Sequence, residues 1–378
     1  MNDLTALKIG VLGGGQLGRM MIQSAIDFNL NIRVLDPDPE APCKHLAGQF
    51  EVGKLTDFDT VYAFGQACDL ITIEIENVNT EALRKLQDEG KKVFPQPEVI
   101  ELIQDKRKQK VFYKANRIPT ADFMLTENAA EVQDKADFLP AVHKLGKEGY
   151  DGRGVQIIRE VKDLDKAFDK PGVLERLVPF EKEISVVVAK NESGEVTTFP
   201  VVELSYHPTK NLVEFLFSPA DISTETEEKA RKLAESVINK LGMVGLLAVE
   251  MFLTKDGEVL VNEVAPRTHN SGHQTIEGNV TSQFEQHIRA ILNFPLGSTK
   301  LTRPSAMVNL LGEEGYSGHA LYQGLEEVIG MEDVHVHLYG KQRTKPFRKM
   351  GHVTIGDSSV AALKQKAHQV KETLKVIA

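Results

Sequence analysis

The sequence has no tryptophan and only two cysteines, Cys43 and Cys68, in 378 residues. The missing tryptophan excludes nothing functional. Two thiols are too few for a disulfide framework or a cysteine metal cluster, and such sparse use points to a reducing cytoplasm. No apolar run is long enough to span a bilayer. The opening Met1-Asn2-Asp3-Leu4 lacks the basic and apolar regions of a secretory signal, so the expectation is cytoplasmic, with no membrane partner. Excess positive charge is also lacking. A net charge of -9 argues against a nucleic-acid partner, which would need a basic stripe, although local basic pockets for small anions remain compatible with it. No internal repeat or low-complexity segment is seen.

What is present is ordinary globular material, 41% hydrophobic and 26% charged. The chain is long for one core, so two or three domains are expected. Leu7 to Leu12 reads as a buried strand, Gly13-Gly14-Gly15-Gln16-Leu17-Gly18 as a glycine-rich turn, Arg19 to Ala25 as a helix, and Ile32 to Leu35 as a second strand ending at Asp36. This satisfies the dinucleotide fingerprint, with an acidic residue roughly twenty positions on. An NAD or FAD enzyme is one reading. The physics is less specific, because a helix N-terminus offers free N–H groups to any anion. Leu70 to Asn77 reads as another strand, with Glu76 and Asn77 where a parallel sheet binds its ligand, or else at an ordinary strand end before a helix.

Lys91 to Pro95 is a short last strand, with a boundary near residue 100. Glu98 to Asn116 reads as a charged, solvated helix in which nothing local singles out Lys106. Leu139 to Lys144 is a strand. The glycine-rich Gly146 to Val155 follows, which with Lys144, Lys147 and Arg153 suits a mobile phosphate lid or a plain hairpin tip. Thr198 to Glu203 is read as one strand, and Ser223 to Leu241 as an amphipathic helix ended by Gly242.

Gly245 to Phe252 and Leu260 to Arg267 then form a hairpin across the turn Lys255-Asp256-Gly257-Glu258. The hairpin could set Glu250 beside Glu263. Side by side, two carboxylates repel and one tends to take a proton, unless a divalent cation joins them. With Asn262, these hard oxygen donors suit magnesium. Solvated acids are the bland alternative, but Arg267, His269, Asn270 and His273 crowd the next stretch. From about residue 300 the tail alternates short strands and turns. Lys341, Arg343, Lys345, Arg348 and Lys349 gather there as a candidate phosphate pocket or a basic surface patch.

Lys106, Lys144, the loop Gly149 to Val155, Glu175 to Val178, Glu183, Glu250 and Asn262-Glu263 together resemble the ATP-grasp superfamily. More narrowly, five motifs in order resemble the N5-carboxyaminoimidazole ribonucleotide synthase family. They are Gly13 to Arg19, Gly149 to Gly154, Asn262 to Arg267, His269 to His273 and Arg348 to His352, and the match runs from end to end. The resemblance implies an α/β (α+β overall) ATP-grasp enzyme: a Rossmann-like domain over 1–100, an ATP-grasp domain over 101–297 with its lid at about 118–180, and a small β-rich domain over 298–378. It implies ATP, bicarbonate and 5-aminoimidazole ribonucleotide as substrates, and commonly a homodimer. Bicarbonate attacks the γ-phosphate to give carboxyphosphate, and the ribonucleotide's amine captures its carboxyl carbon as CO2 released in the closed site.

Carried over by position, Glu250 and Glu263 would bind magnesium, or manganese in its place. Lys106, Lys144, Gly149, Tyr150, Asp151, Gly152, Arg153, Gly154, Val155, Asn262 and Glu263 would surround the ATP phosphates. Glu175, Arg176, Leu177 and Val178 would hold adenine and Glu183 the ribose, and His207 would touch ATP although its spacing departs from the family's. Gln16, Leu17, Glu76, Asn77, Tyr150, Asp151, Arg153, Lys341 and Arg348 would bind the ribonucleotide, Ser271 would bind substrate, and Asn270 would line the bicarbonate site with Arg267, His269 and His273. Tyr150, Asp151, Arg153, Arg267, His269 and His273 would be catalytic, the last three at the bicarbonate site. The alternatives are another ATP-grasp ligase, such as a formate-dependent glycinamide ribonucleotide transformylase, and an NAD-dependent oxidoreductase.

Overall fold

The computed structural model describes residues 4, 6–147, 149, 154–207 and 212–378. The apolar runs at the N-terminus form a five-stranded sheet. Its spatial order is Gln49–Val52, Asn31–Asp36, Lys8–Leu12, Leu70–Ile73, Lys92–Val93, and every pairing is parallel. Helices cover both faces, which is why these strands read as continuous apolar runs. The strand order reverses between Lys8–Leu12 and Leu70–Ile73, so the crevice at their carboxyl ends is the place for a ligand. The helix Gln16–Asp27 begins at that crevice.

Strand Leu70–Ile73 stops short of the expected end at Asn77. Glu76 and Asn77 therefore lie on the loop beyond it, and the next helix is capped by Asn79, whose side chain accepts from Ala82 N–H. The charged stretch expected as one helix over 98–116 is two, Pro97–Ile103 and Lys106–Ala115. Asp105 separates them by capping the second, accepting from Arg107 N–H at 2.9 Å. That second helix is not a solvated face: Gln109, Lys110 and Tyr113 are buried.

A four-stranded antiparallel sheet follows, in the order Phe123–Thr126, Gly172–Arg176, Ala141–Leu145, Val155–Ile158. It has its own small core of Val132, Phe138, Ala141, Ile158, Leu164 and Leu174. Lys144 pairs with Val155 across the base of the glycine-rich loop. Tyr150, Asp151, Gly152 and Arg153 lie outside the described residues.

The largest sheet has nine strands and runs through the middle and end of the chain. Its spine is Val259–Ala265, Gly245–Thr254, Phe180–Lys190, Val202–Tyr206, Val213–Ser218, Ser305–Leu311, Lys349–Gly356, Val334–Leu338, with Val196–Thr198 added beside Phe180–Lys190. The stretch expected as one strand over 198–203 is broken at Phe199-Pro200-Val201, where proline cannot donate to a ladder. The C-terminal strands thus continue the central sheet edge to edge through Phe215 opposite Val308. Several helices pack on this sheet, two of them over its central and C-terminal cores. Thr224–Leu241 is capped by Ser223 and closed by Gly242 at φ 62°, and packs Ala230, Ala234, Val237 and Ile238 into the central core. Val360–Thr373, capped by Ser359, buries Leu363, Ala367 and Val370 in the C-terminal core. The strand-and-turn expectation for the tail missed this second helix, although its apolar residues recur at helical spacing.

Helix Gln283–Ile291 ties the halves together. Phe284, Ile288 and Ile291 share a core with Leu17, Met20 and Met21 of the first helix, and His287 Nε2 lies 2.9 Å from Thr72 Oγ1 in the first sheet.

Candidate active site

The hairpin is formed as expected, with Glu250 directly opposite Glu263. The register then slips: Met251 faces Val261, so Asn262 is an extra residue on its strand. Such a bulge re-aims side chains. It lets Asn262 and Glu263, neighbours that would otherwise point to opposite faces, both meet lysines. Lys144 Nζ donates to Asn262 Oδ1 at 2.8 Å, and Lys106 Nζ to Glu263 Oε2 at 2.8 Å.

A third lysine joins them. Lys110, one helical turn beyond Lys106, is 2% exposed, and its Nζ lies 3.0 Å from Glu175 Oε2, with Lys144 Nζ 3.3 Å from the same oxygen. Lys110 also donates to Thr120 Oγ1 at 2.6 Å. Nothing in the sequence reading singled it out, but its position four residues from Lys106 on one helix face was the available signal. Burial disfavours the Lys106 charge, yet Glu263 outweighs burial and its pKa is raised. Burial, aided by the other lysines, pushes Lys110 down to about 8 against the pull of Glu175. Burial also opposes the Glu175 charge, but Lys144 and Lys110 prevail and lower its pKa.

The two hairpin carboxylates are driven apart. Burial, then the charges of Glu263 and Glu183, raise Glu250, while Lys106 above all lowers Glu263. Glu263 keeps 45% of its side chain exposed toward the cleft. Glu183 is also raised by burial, against a hydrogen bond from Tyr206. Among the described residues, no group of three or more His, Cys, Asp or Glu is gathered to hold a metal by itself. A hard pair of carboxylates short of a full ligand set fits magnesium, which is normally completed by water and substrate phosphates. With the Glu250 pKa raised by burial and its acidic neighbours, a cation held there would have to displace the proton. Magnesium affinity, measured by calorimetry with ADP present, is expected to rise as pH rises through neutrality, releasing about one proton per ion. Affinity that stays flat over that range would contradict a protonated Glu250.

Strand Gly172–Arg176 is flanked on both sides, so Glu175 and Arg176 do not lie on a free sheet edge. The N–H groups of Arg176 and Leu177 already donate to the carbonyls of Asp122 and Pro140, and the Val178 carbonyl accepts from Phe180. Gly149 and Gly154 approach each other at the loop base, and Gly154, at φ 76°, accepts through its carbonyl from Leu145 N–H. His207 lies off this cluster, its ring 6.1 Å from that of Phe347, beside Arg348.

Beyond the hairpin, Arg267 Nη2 lies 2.8 Å from Glu76 Oε1, joining the central domain to the first sheet's crevice. His269 turns Nε2 to within 3.8 Å of Glu250 Oε1, while its Nδ1 sits 2.9 Å from Ser271 Oγ. Asn270 opens the following 3-10 turn. His273 does not line the cleft as expected. It is 1% exposed, stacked between Phe284 and His352, and burial drives its pKa well below the usual value, so the ring is neutral.

The crevice also draws in the tail. Lys341 Nζ donates to Gln16 Oε1 at 2.9 Å and to the Lys349 carbonyl at 2.8 Å, and Arg348 Nη1 donates to the Arg343 carbonyl at 2.7 Å. Leu17 contributes its side chain to the core, and Asn77 is exposed at the rim. Glu74, which the sequence reading passed over, fills the helix N-terminus. Its Oε1 accepts from Leu17 N–H at 3.1 Å, and a Cβ on Gly15 would lie 2.4 Å from that oxygen. Burial, opposed by Arg267, pushes Glu74 up to about 7. Asp36 Oδ2 likewise accepts from Gly14 N–H at 2.6 Å. The protein's own carboxylates thus occupy N–H groups that a dinucleotide pyrophosphate would use, which removes the physical basis of the NAD reading.

Comparison with known proteins agrees in all three parts of the chain. Residues 6–104 match the ribonucleotide synthetase preATP-grasp domain, 111–284 the ATP-grasp domain, and 305–366 the phosphoribosylaminoimidazole carboxylase C-terminal domain. The chain is similar to the N5-carboxyaminoimidazole ribonucleotide synthase of Bacillus subtilis, 38% identical over 92% of this chain and 90% of that one. It spans 66% of the length of the chloroplastic phosphoribosylaminoimidazole carboxylase of Vigna aconitifolia, at 38% identity over 95% of its own. The structure resembles that of N5-carboxyaminoimidazole ribonucleotide synthetase from Thermotoga maritima, with a TM-score of 0.91, 44% identity and coverage of 98% and 99%. It also resembles the N5-carboxyaminoimidazole synthase of Aspergillus clavatus solved with ADP and 5-aminoimidazole ribonucleotide, with a TM-score of 0.88, 31% identity and 98% of each chain covered.

Proposed function

The chain belongs to the N5-carboxyaminoimidazole ribonucleotide synthase family, and on that premise we propose that it carboxylates 5-aminoimidazole ribonucleotide with bicarbonate at the expense of ATP, a step of purine biosynthesis. A bicarbonate oxygen attacks the γ-phosphorus, forming carboxyphosphate and ADP. The exocyclic amine then takes the carboxyl carbon, and phosphate leaves. The observation that carries this reading is the convergence of Lys106, Lys110 and Lys144 on Glu263, Asn262 and Glu175 at the hairpin.

Phosphoryl transfer needs charge neutralisation and in-line positioning more than covalent help from the protein. Lys106, Lys110 and Lys144 supply the positive charge around the phosphates. Glu250 and Glu263 are the residues that would hold magnesium, which when bound neutralises phosphate charge. Leu177 and Val178, where the chain leaves its strand, would lie along adenine, and Glu183 would meet the ribose. Arg267, His269 and Asn270 would hold the carboxyl group. Gln16, Glu76, Asn77, Lys341 and Arg348 would hold the ribonucleotide at the crevice where three domains meet, divided near residues 100 and 297. Exclusion of water from the site would protect carboxyphosphate from hydrolysis.

We place the protein in the cytoplasm as a homodimer. Both cysteines are free and buried, and no helix of the described residues is long and apolar enough to cross a membrane.

A coupled ADP assay that omits one substrate at a time tests the reaction. Full-rate ADP release is expected only with both bicarbonate and aminoimidazole ribonucleotide, and labelled bicarbonate should enter the product. Turnover sustained by formate and glycinamide ribonucleotide instead would replace this reading with the transformylase.

A further inference from the structure

The segment from Arg267 to His273 leaves strand Val259–Ala265 and forms only a short 3-10 turn at Asn270–Gly272. No ladder holds His269 there. Besides the Gly272 N–H, which donates to the His269 carbonyl at 3.0 Å, its main chain is held by the side chain of Gln283, the first residue of helix Gln283–Ile291 and fully buried. Gln283 Oε1 accepts from His269 N–H at 2.9 Å, and its Nε2 donates to the His269 carbonyl at 2.7 Å. The same Nε2 lies 3.2 Å from His273 Nδ1, and the Gln283 main-chain N–H donates to Thr275 Oγ1 at 2.8 Å.

We propose that Gln283 is a positioning residue for activation of the carboxyl group: its carboxamide grips both main-chain polar groups of His269 as a strand neighbour would, and so aims the His269 imidazole at the cleft. This rests on the reading of His269 as part of the wall that holds bicarbonate.

The chemistry of the grip is specific. One group must donate and accept side by side, which a carboxamide does. A carboxylate accepts only, and an ammonium donates only. The packing is equally specific, since a Cβ on Gly272 would lie 2.5 Å from the Gln283 carboxamide. The far side of the imidazole is fixed as well. Ser271 N–H donates to His269 Nδ1 at 3.3 Å, and Ser271 Oγ is anchored by Ser185 Oγ at 2.9 Å. With Nδ1 accepting, the ring carries a proton on Nε2, the nitrogen turned toward Glu250. An N–H aimed there suits an anionic oxygen of bicarbonate or carboxyphosphate. Gln283 touches none of the reacting groups and acts through His269 alone.

The test is steady-state kinetics of Gln283→Met, Gln283→Glu, His269→Ala and the double variant His269→Ala/Gln283→Met, with folding checked by circular dichroism and thermal melts. Gln283→Met keeps the volume and introduces no buried charge, so it reports even where Gln283→Glu fails to fold. In the single variants kcat/KM for bicarbonate is expected to fall about 10–100-fold, with KM for ATP changed less than about twofold. In the His269→Ala background, Gln283→Met should cost less than about threefold, because the residue through which it acts is gone. Equal losses toward ATP and bicarbonate, or additive losses in the double variant, would overturn the proposal while leaving His269 in the wall. His269→Ala with unaltered bicarbonate kinetics would overturn that reading of the wall, and the proposal with it.

Discussion

Glu263→Gln lowers magnesium-dependent ADP formation by about 10²–10³-fold while the protein stays folded. The substitution keeps the volume and removes one charge from each of two relationships. Lys106 loses its ionic partner at 2.8 Å, and Glu250 loses the neighbouring charge that, after burial, raises its pKa. The pair can then no longer present two negative oxygens to a cation. Glu263 itself keeps 45% of its side chain exposed, but Lys106, at 19%, is left without the carboxylate that outweighs its burial, so the melting temperature without ligand should fall modestly. Magnesium and ATP should stabilise the native protein but not the variant, since stabilisation by a ligand follows its affinity for the folded state. Normal turnover in a folded Glu263→Gln protein would sink the metal assignment.

Lys144→Met should reduce kcat/KM for ATP by a similar factor of about 10²–10³, and it should also cost stability. Lys144 is only 8% exposed and serves two partners, Glu175 and Asn262. Glu175 lies deep, at 3% exposure, and among the described residues would keep Lys110 as its ion-pair partner. Removing a whole buried ion-pair partner costs about 3–5 kcal/mol, and the retained lysine should hold the loss to about 1–3 kcal/mol. Urea unfolding measures this, with a lower midpoint at unchanged slope. Unaltered ATP kinetics in the variant would show that Lys144 serves the ion-pair cluster alone.

These two residues also mark how far the sequence could be read. The Glu250 and Glu263 hairpin was legible because an Asp-Gly turn between two apolar runs is a local signal, and the strands it joins are contiguous. Lys144 was legible as a strand end before a glycine-rich loop. Lys110 was not, because a helix rich in lysine looks solvated until its neighbours are known, and only packing against Glu175 and Thr120 buries it. Glu74 was hidden in the same way: it reads as one more acid at a strand end, whereas the fold sets it against Leu17 N–H, 57 residues away. His273 was misplaced for the opposite reason. A histidine in a polar string looks available, but Phe284 on the following helix and His352 from the C-terminal part of the sheet close over it.

By itself the sequence determined the local pieces: the parallel first sheet and its glycine turn, the two acids of the hairpin, the lysine before the glycine-rich stretch, the basic tail, and, through their order, the family. Those depend on spacing within a few residues, where periodicity, turn chemistry and capping act. The tertiary structure alone decided which charges meet. The bulge at Asn262 turned two consecutive side chains toward two lysines, and the continuous sheet carried Lys341 from the tail to Gln16 in the first helix. Burial at Glu250 and the Lys106 charge beside Glu263 then drove the two hairpin carboxylates apart, raising the pKa of the first and lowering that of the second. Coulomb energy and desolvation depend on distance through space and on access to water, and neither is written in the order of residues along the chain.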